Sequence, residues 1–241
     1  MRDLAGLSIY LMGASGGIGG ATALKIAKPG VKIAICSVDQ KGLDALEAQL
    51  KEKGAEVFAR FVDNRKPEDV KSFMDDAYAQ FGGADILVNF AGLTVDKHLD
   101  ELTPAELELV LDVNIKGMIL SCKYFADHVD TEKGAKIFNF GSMAAKRANA
   151  LGPQYSAAKA AVNMWTDGYA KQVKAKNISV CCVNPGPVAT GFHSVLTDEK
   201  RAVFMTPDDA AEVMEFLLTR EQKIVVHAIW FECFDFFKGM P

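Results

Sequence analysis

Short apolar runs alternate with longer stretches of helical spacing along nearly the whole chain, and this alternation constrains the fold more than any single residue. Seven runs have strand length: Leu7–Met12, Val31–Val38, Ala55–Val62, Ala84–Gly92, Lys136–Ser142, Ile178–Gly186 and Lys223–Phe231. Between them lie about six helical patterns. "IGGATALKIAK" stops at Pro29-Gly30, and "KGLDALEAQLKEKG" carries leucines at 43, 46 and 50 before a glycine. Pro67 opens a third pattern, and Thr103 can cap a long fourth one that Pro104 begins. "PQYSAAKAAVNMWTDGYAKQVKAK" and "TPDDAAEVMEFLL" complete the set. Strands that alternate with helices make βαβ units, hence a doubly wound, Rossmann-like parallel sheet of about seven strands with helices on both faces. No linker or repeat interrupts 241 residues, so one domain is expected over 1–241.

In such a sheet, ligands bind outside the carboxyl ends of the strands. The first strand ends there in "LMGASGGIGG", where five of the eight residues from Gly13 to Gly20 are glycine. A turn that needs positive φ is one explanation. A phosphate cradle is the other: bare backbone N–H groups, with the positive end of the next helix behind them. The spacing, Gly13-x3-Gly17-x-Gly19, is not the G-x-G-x-x-G dinucleotide fingerprint.

With these residues the chain resembles the short-chain dehydrogenase/reductase superfamily, from about Leu4 to Val226. Met12 stands where that family usually has threonine before the glycines. "DILVNFAG" resembles its D-x-L-V-N-N-A-G, with Phe90 replacing the second asparagine. "DVNIKG" carries Asn114, "NFGSMAA" carries Ser142, "YSAAKAA" gives Tyr155 and Lys159, and "NPGPVAT" matches at Pro185, Gly186 and Thr190. A Tyr-x3-Lys pair is weak alone, but of the five tyrosines only Tyr155 has lysine four residues on, and Ser142 lies thirteen residues before it.

The resemblance implies an NAD(P)-dependent oxidoreductase that moves a hydride between nicotinamide and a carbonyl or secondary alcohol. Tyr155 would be the general acid/base, with Lys159, one helical turn on, lowering its pKa. Ser142 would hold the substrate oxygen, and Asn114 a water that links Lys159 to solvent. The lesser alternative for Asn114 is a packing residue that bends its helix, since asparagine is a poor helix former. The nucleotide would lie along Gly13, Ser15, Gly17, Ile18, Gly19, Asn89, Ala91, Gly92, Pro185, Gly186, Val188 and Thr190, with Asp63 and Asn64 at the adenine. "DN" at 63–64 is also a good turn dipeptide.

An acidic residue at the end of the second strand would select NAD. Ser37 occupies that place and Val38 follows, which leaves room for a 2′-phosphate that Lys41 could approach. The balance tips slightly to NADP over NAD, with Asp39 opposing it if it faces inward.

Composition sets the remaining expectations. A net charge of −4 with no basic block speaks against nucleic acid. No apolar stretch approaches the roughly 18–20 residues needed to span a bilayer. The apolar start superficially resembles a signal peptide, but cleavage would remove the first strand and its glycine turn. Five cysteines without a C-x-x-C read as free thiols in the cytoplasm, and the four histidines have no metal-ligand spacing, so no metal is expected. A substrate lid is expected over about 190–207. The aromatic tail "WFECFDFFKGMP" could be core or could cover a neighbouring subunit in a homodimer or homotetramer. An epimerase or dehydratase that retains its nicotinamide is disfavoured by the short chain. A catalytically silent NAD(P)-binding regulatory protein is the alternative from another class, and it would be favoured by loss of Tyr155 or Lys159.

Overall fold

All seven apolar runs become strands of one parallel sheet in the computed structural model, which describes residues 2–192 and 197–239. The strands are β1 (Ser8–Met12), β2 (Lys32–Ser37), β3 (Glu56–Phe61), β4 (Ile86–Asn89), β5 (Ala135–Phe140), β6 (Ile178–Pro185) and β7 (Ala228–Phe231), in spatial order 3-2-1-4-5-6-7. The order reverses between β1 and β4, whose carboxyl ends meet in register at Met12 and Asn89.

Nine α-helices link the strands among the described residues: α1 (Gly17–Ile26), α2 (Gln40–Glu52), α3 (Pro67–Phe81), α4 (Pro104–Leu111), α5 (Gly117–Ala126), α6 (Pro153–Val173), α7 (Asp198–Val203), α8 (Pro207–Leu218) and α9 (Phe234–Lys238). Side chains alternate across the sheet. Ile9, Leu11, Ile33 and Ile35 pack into one core with residues of α1, α2 and α8. Tyr10, Met12, Ala34 and Cys36 face a second core with residues of α3, α5 and α6. Helix starts follow the local chemistry. Thr103 and Glu106 form a reciprocal capping box at α4, and Thr206 and Asp209 form another at α8.

Two local expectations change. The long helix from Thr103 is not uniform, because α4 and α5 are joined by a π-helical turn at Asp112–Lys116 that contains Asn114. The last strand is four residues rather than nine. Lys136 donates to the Ile224 carbonyl at 2.8 Å and Gln222 to that of Ala135 at 3.2 Å, which draws the chain before Ala228 across the start of β5 instead of along β6. The expected lid contains α7, capped by Thr197, and residues 193–196 of it lie outside the described residues.

Candidate active site

The carboxyl ends of the strands open into a cleft of about 860 Å³. At its centre the chain leaves β1 through Gly13, whose φ of +76° suits glycine. A Cβ at Gly13 would lie 2.7 Å from the backbone of Ala91, and one at Gly17 would lie 2.4 Å from the Thr190 methyl. The glycines therefore let three strand ends converge. The N-terminus of α1 faces the cleft with no side chain capping it and no acidic residue in its first turn. Free N–H groups at a positive helix end, on bare backbone, fit a phosphate.

Most of the expected nucleotide residues line this cleft: Gly13, Ser15, Gly17, Ile18, Gly19, Ser37, Asn64, Ala91, Gly92, Pro185, Gly186, Val188 and Thr190. Two do not. Asp63 is turned to Arg65, which donates to both its carboxylate oxygens at 2.8 and 2.6 Å and holds its pKa below the usual carboxylate range. Asn89 is buried, and its Nδ2 donates to Asn139 Oδ1 at 2.8 Å inside the sheet. Asp63 finds its partner two residues on and Asn89 finds its own on the neighbouring β5, which motif matching cannot register.

At the end of β2, Ser37 and Ser15 share a hydroxyl–hydroxyl hydrogen bond of 2.5 Å. Val38 and Asp39 also line the cleft. The Asp39 carboxylate is engaged as the cap of α2, accepting from Gly42 N at 3.0 Å. Lys41 is exposed and is not among the lining residues. The two cations that line the described cleft, Arg147 and Lys159, belong to its other end.

There, Ser142, Tyr155 and Lys159 converge. Ser142 leaves β5 in extended conformation, and its Oγ accepts from Ala144 N at 3.1 Å. Tyr155 and Lys159 project from the start of α6. The ammonium lies 5.6 Å from the centre of the Tyr155 ring and donates to the Phe140 carbonyl at 2.8 Å. Burial pushes the Tyr155 pKa up to about 12, opposed by its hydrogen bond with Ser142 and reinforced by Asp96. Burial likewise lowers Lys159 to about 8. The expected lowering of the phenol by Lys159 does not appear: burial is the largest influence on each group and favours the neutral form of both.

Asn114 is outside the cleft lining but adjoins it. Its Nδ2 donates to the Leu93 and Val110 carbonyls at 2.8 and 2.9 Å. Its Oδ1 is buried without a partner. A Cβ on Gly92 would lie 2.9 Å from that oxygen and 3.3 Å from Lys159 Nζ, so bare backbone separates the two atoms. The π turn is what brings the asparagine inward. Its sequence signal was Asn114 itself, a poor helix former inside a helical pattern.

Sequence reasoning missed the walls of this end. Leu93, Asp96, Met143, Arg147, Phe192 and Phe236 line it. The Phe192 ring lies 5.6 Å from that of Tyr155. The aromatic tail folds back on its own chain: Phe236 meets Phe204, Lys146 sits 3.8 Å over Trp230, and Arg147 pairs with Glu232. Phe234 and Phe237 remain exposed. No group of three metal-ligating side chains occurs among the described residues, and no described helix is long and apolar enough to cross a membrane.

The short chain dehydrogenase family model matches residues 8–201. A 3-oxoacyl-[acyl-carrier-protein] reductase of Synechocystis is 31% identical over 226 residues, 91% of this chain and 92% of that protein. A short chain dehydrogenase of Burkholderia cenocepacia, solved in complex with NADP, superimposes with a TM-score of 0.87 at 29% identity, covering 95% of this chain and 97% of that one. An alcohol dehydrogenase of Thermococcus sibiricus, complexed with 5-hydroxy-NADP, does so with 0.85 at 27%, covering 95% and 97%. A match over most of the chain, on a fold whose glycine turn opens into the same cleft as a buried Ser-Tyr-Lys group, settles the family: this chain belongs to the short-chain dehydrogenases and is an NAD(P)-dependent oxidoreductase of C=O and CH–OH groups.

Proposed function

We propose that the protein interconverts a ketone and its secondary alcohol, with Tyr155 as general acid/base. The convergence of the Tyr155 phenol, Ser142 and the buried Lys159 ammonium on one end of the cleft carries this reading. A nicotinamide nucleotide, when bound, supplies or accepts the hydride.

The chain's own residues do the rest. A phenol with pKa near 12 holds its proton at neutral pH and delivers it to a carbonyl oxygen as negative charge develops there. Ser142 orients that oxygen toward Tyr155. Lys159, charged below about pH 8, stabilises the phenolate left behind. The unpartnered Asn114 Oδ1 supports its reading as the holder of a water that links Lys159 to solvent, by which the proton returns. Tyr155, Lys159 and Ser142 are all present and face one space, so nothing favours a silent nucleotide sensor.

The nucleotide is NADP with a slight preference over NAD. Ser37 leaves space for a 2′-phosphate, and two structural relatives carry NADP or a derivative of it. Leu93, Met143, Phe192 and Phe236 give the substrate end an apolar wall. That wall and the 3-oxoacyl reductases among the relatives make 3-oxo esters and thioesters the first compounds to test. Exposed Leu107, Leu111 and Met164 on α4 and α6 are the surface through which we expect a homodimer or homotetramer to form. Nicotinamide absorbance, followed with NADPH and NADH over 3-oxo esters, aryl ketones and aldehydes, tests the proposal. Turnover of a ketone by wild type and its loss in Tyr155→Phe is expected; no turnover of any carbonyl with either nucleotide would overturn it.

A further inference from the structure

We propose that Asn184 is a positioning residue for Ser142, and that through Asn163 it ties the serine to the helix that carries Tyr155 and Lys159. The inference rests on the catalytic assignment of those three residues.

Asn184 sits near the end of β6 and is fully buried. Its Oδ1 accepts from the backbone N of Ser142 at 3.0 Å and from Asn163 Nδ2 at 2.8 Å, with Cys182 Sγ at 3.7 Å. Its Nδ2 donates to the Cys182 carbonyl at 3.3 Å. The same Asn163 Nδ2 donates to the Lys159 carbonyl at 3.0 Å. Both amide orientations are fixed by their partners. A backbone N–H can only donate, so the Asn184 oxygen must face Ser142, and a backbone carbonyl can only accept, so the Asn163 nitrogen must face Lys159.

The result is a continuous bridge from the Ser142 backbone through two buried or half-buried amides to the α6 turn at Lys159. Gly141 makes room for it. A Cβ there would lie 2.0 Å from Asn184 Oδ1 and 2.8 Å from Asn163 Nδ2, both closer than packed atoms approach. The absence of a side chain just before the serine thus lets the amide reach the serine's N–H.

Neither asparagine lies against Tyr155 or lines the cleft. Any effect on the reaction therefore passes through Ser142 and the start of α6. Ser142 must be held against Tyr155 while its Oγ also caps the following turn. The amide bridge fixes the backbone from which that hydroxyl projects.

A double-mutant cycle on the ketone reduced fastest by wild type tests this. Asn184→Leu, of similar size but without the acceptor, should lower kcat by about tenfold or more, with the Kd of NADPH unchanged. Asn184→Asp, which keeps an acceptor oxygen, should recover most of the rate. In the Ser142→Ala background, Asn184→Leu should cost no more than about twofold further. Should Asn184→Leu not fold, Asn163→Leu on the surface side of the bridge is expected to show the same pattern at smaller size. Losses that multiply in the double variant, or full activity in Asn184→Leu, would overturn the positioning role while leaving the catalytic reading intact. Full activity of Ser142→Ala would overturn the catalytic reading, and the inference with it.

Discussion

Lys159 gives activity and stability opposite responses to pH, and this is the sharpest consequence of the site. The side chain is 3% exposed, and burial lowers its pKa from 10.5 to about 8. A displacement of that size corresponds to about 3 kcal/mol of disfavour for the charged form, at 1.4 kcal/mol per pH unit. The sign follows from linkage. The folded pKa lies below the unfolded one, so the folded state carries the full penalty wherever both states are protonated, below about pH 8. The penalty fades as pH rises from about 8 to 10.5, where the folded protein sheds the proton and the unfolded chain still holds it. Under the proposed mechanism ketone reduction responds the other way, because it uses the ammonium. At saturating NADPH, kcat/KM should be flat below about pH 8 and fall up to tenfold per unit above it. Lys159→Met isolates the stability effect from other titrating groups such as Lys136, which burial also lowers to about 8. Denaturant unfolding of wild type and Lys159→Met at pH 7, 8.5 and 10.5 should show the variant's relative stability falling by about 2–3 kcal/mol across that range. A difference that is constant with pH, or a rate profile flat through pH 10, would refute the placement of a titrating Lys159 in the site.

Tyr155→Phe should retain nucleotide binding by titration and lose about 10²–10⁴ in kcat; retention of more than about a tenth of the rate would remove the phenol from the mechanism. With neither an arginine clamp nor a carboxylate at Ser37, NADPH and NADH should bind within about 30-fold of one another, roughly 2 kcal/mol, and Ser37→Asp should turn the preference to NADH. NADH bound a hundredfold tighter by wild type would mean that Asp39 governs the ribose site. Gly13→Ala combines about 1–2 kcal/mol of left-handed strain with about 1–3 kcal/mol of overpacking against Ala91, whereas Gly6→Ala, at φ +81° with nothing within 4 Å, carries the strain alone. Calorimetry should find Gly13→Ala lower in Tm by about 2–4 °C for each kcal/mol of the difference; equal melting temperatures would show that the β1 turn does not pack as described.

The fold was legible because a parallel sheet buries both faces of its inner strands, and these leave short, largely apolar runs such as "LSIYLM" or "ISVCCVNPG". Site residues were legible where a strand end or helix start fixes them. Gly13 and Ser142 closely follow strand ends, and Tyr155 lies in the first turn of α6, so their place follows from the order of elements. Side chains whose direction depends on a neighbour were not legible. Asp63 and Asn89 occupy motif positions, yet one turns to Arg65 and the other to Asn139. Nor was the wall from the tail, because no local pattern tells that Phe236 will meet Phe204, thirty-two residues earlier in the chain.

The largest departure from expectation is electrostatic. A tyrosine one turn from a lysine reads as a phenol acidified by its neighbour. Burial acts on both partners and drives them toward neutrality, Tyr155 upward and Lys159 downward. Sequence spacing carries the attraction but not the depth of burial, and depth decides the sign here. The consequence for the reaction is directional. A phenol near pKa 12 is a poor base at neutral pH and a proton-loaded acid, so under the proposed mechanism reduction is the direction expected to be favoured there. Oxidation of the alcohol requires the phenolate to be reached first, and should therefore gain with pH until loss of the Lys159 charge near pH 8 removes its support. Oxidation that rises between about pH 7 and 8 while reduction stays flat, with both falling above pH 8, measured on one ketone–alcohol pair, would distinguish this account from one in which Lys159 alone sets the phenol's pKa.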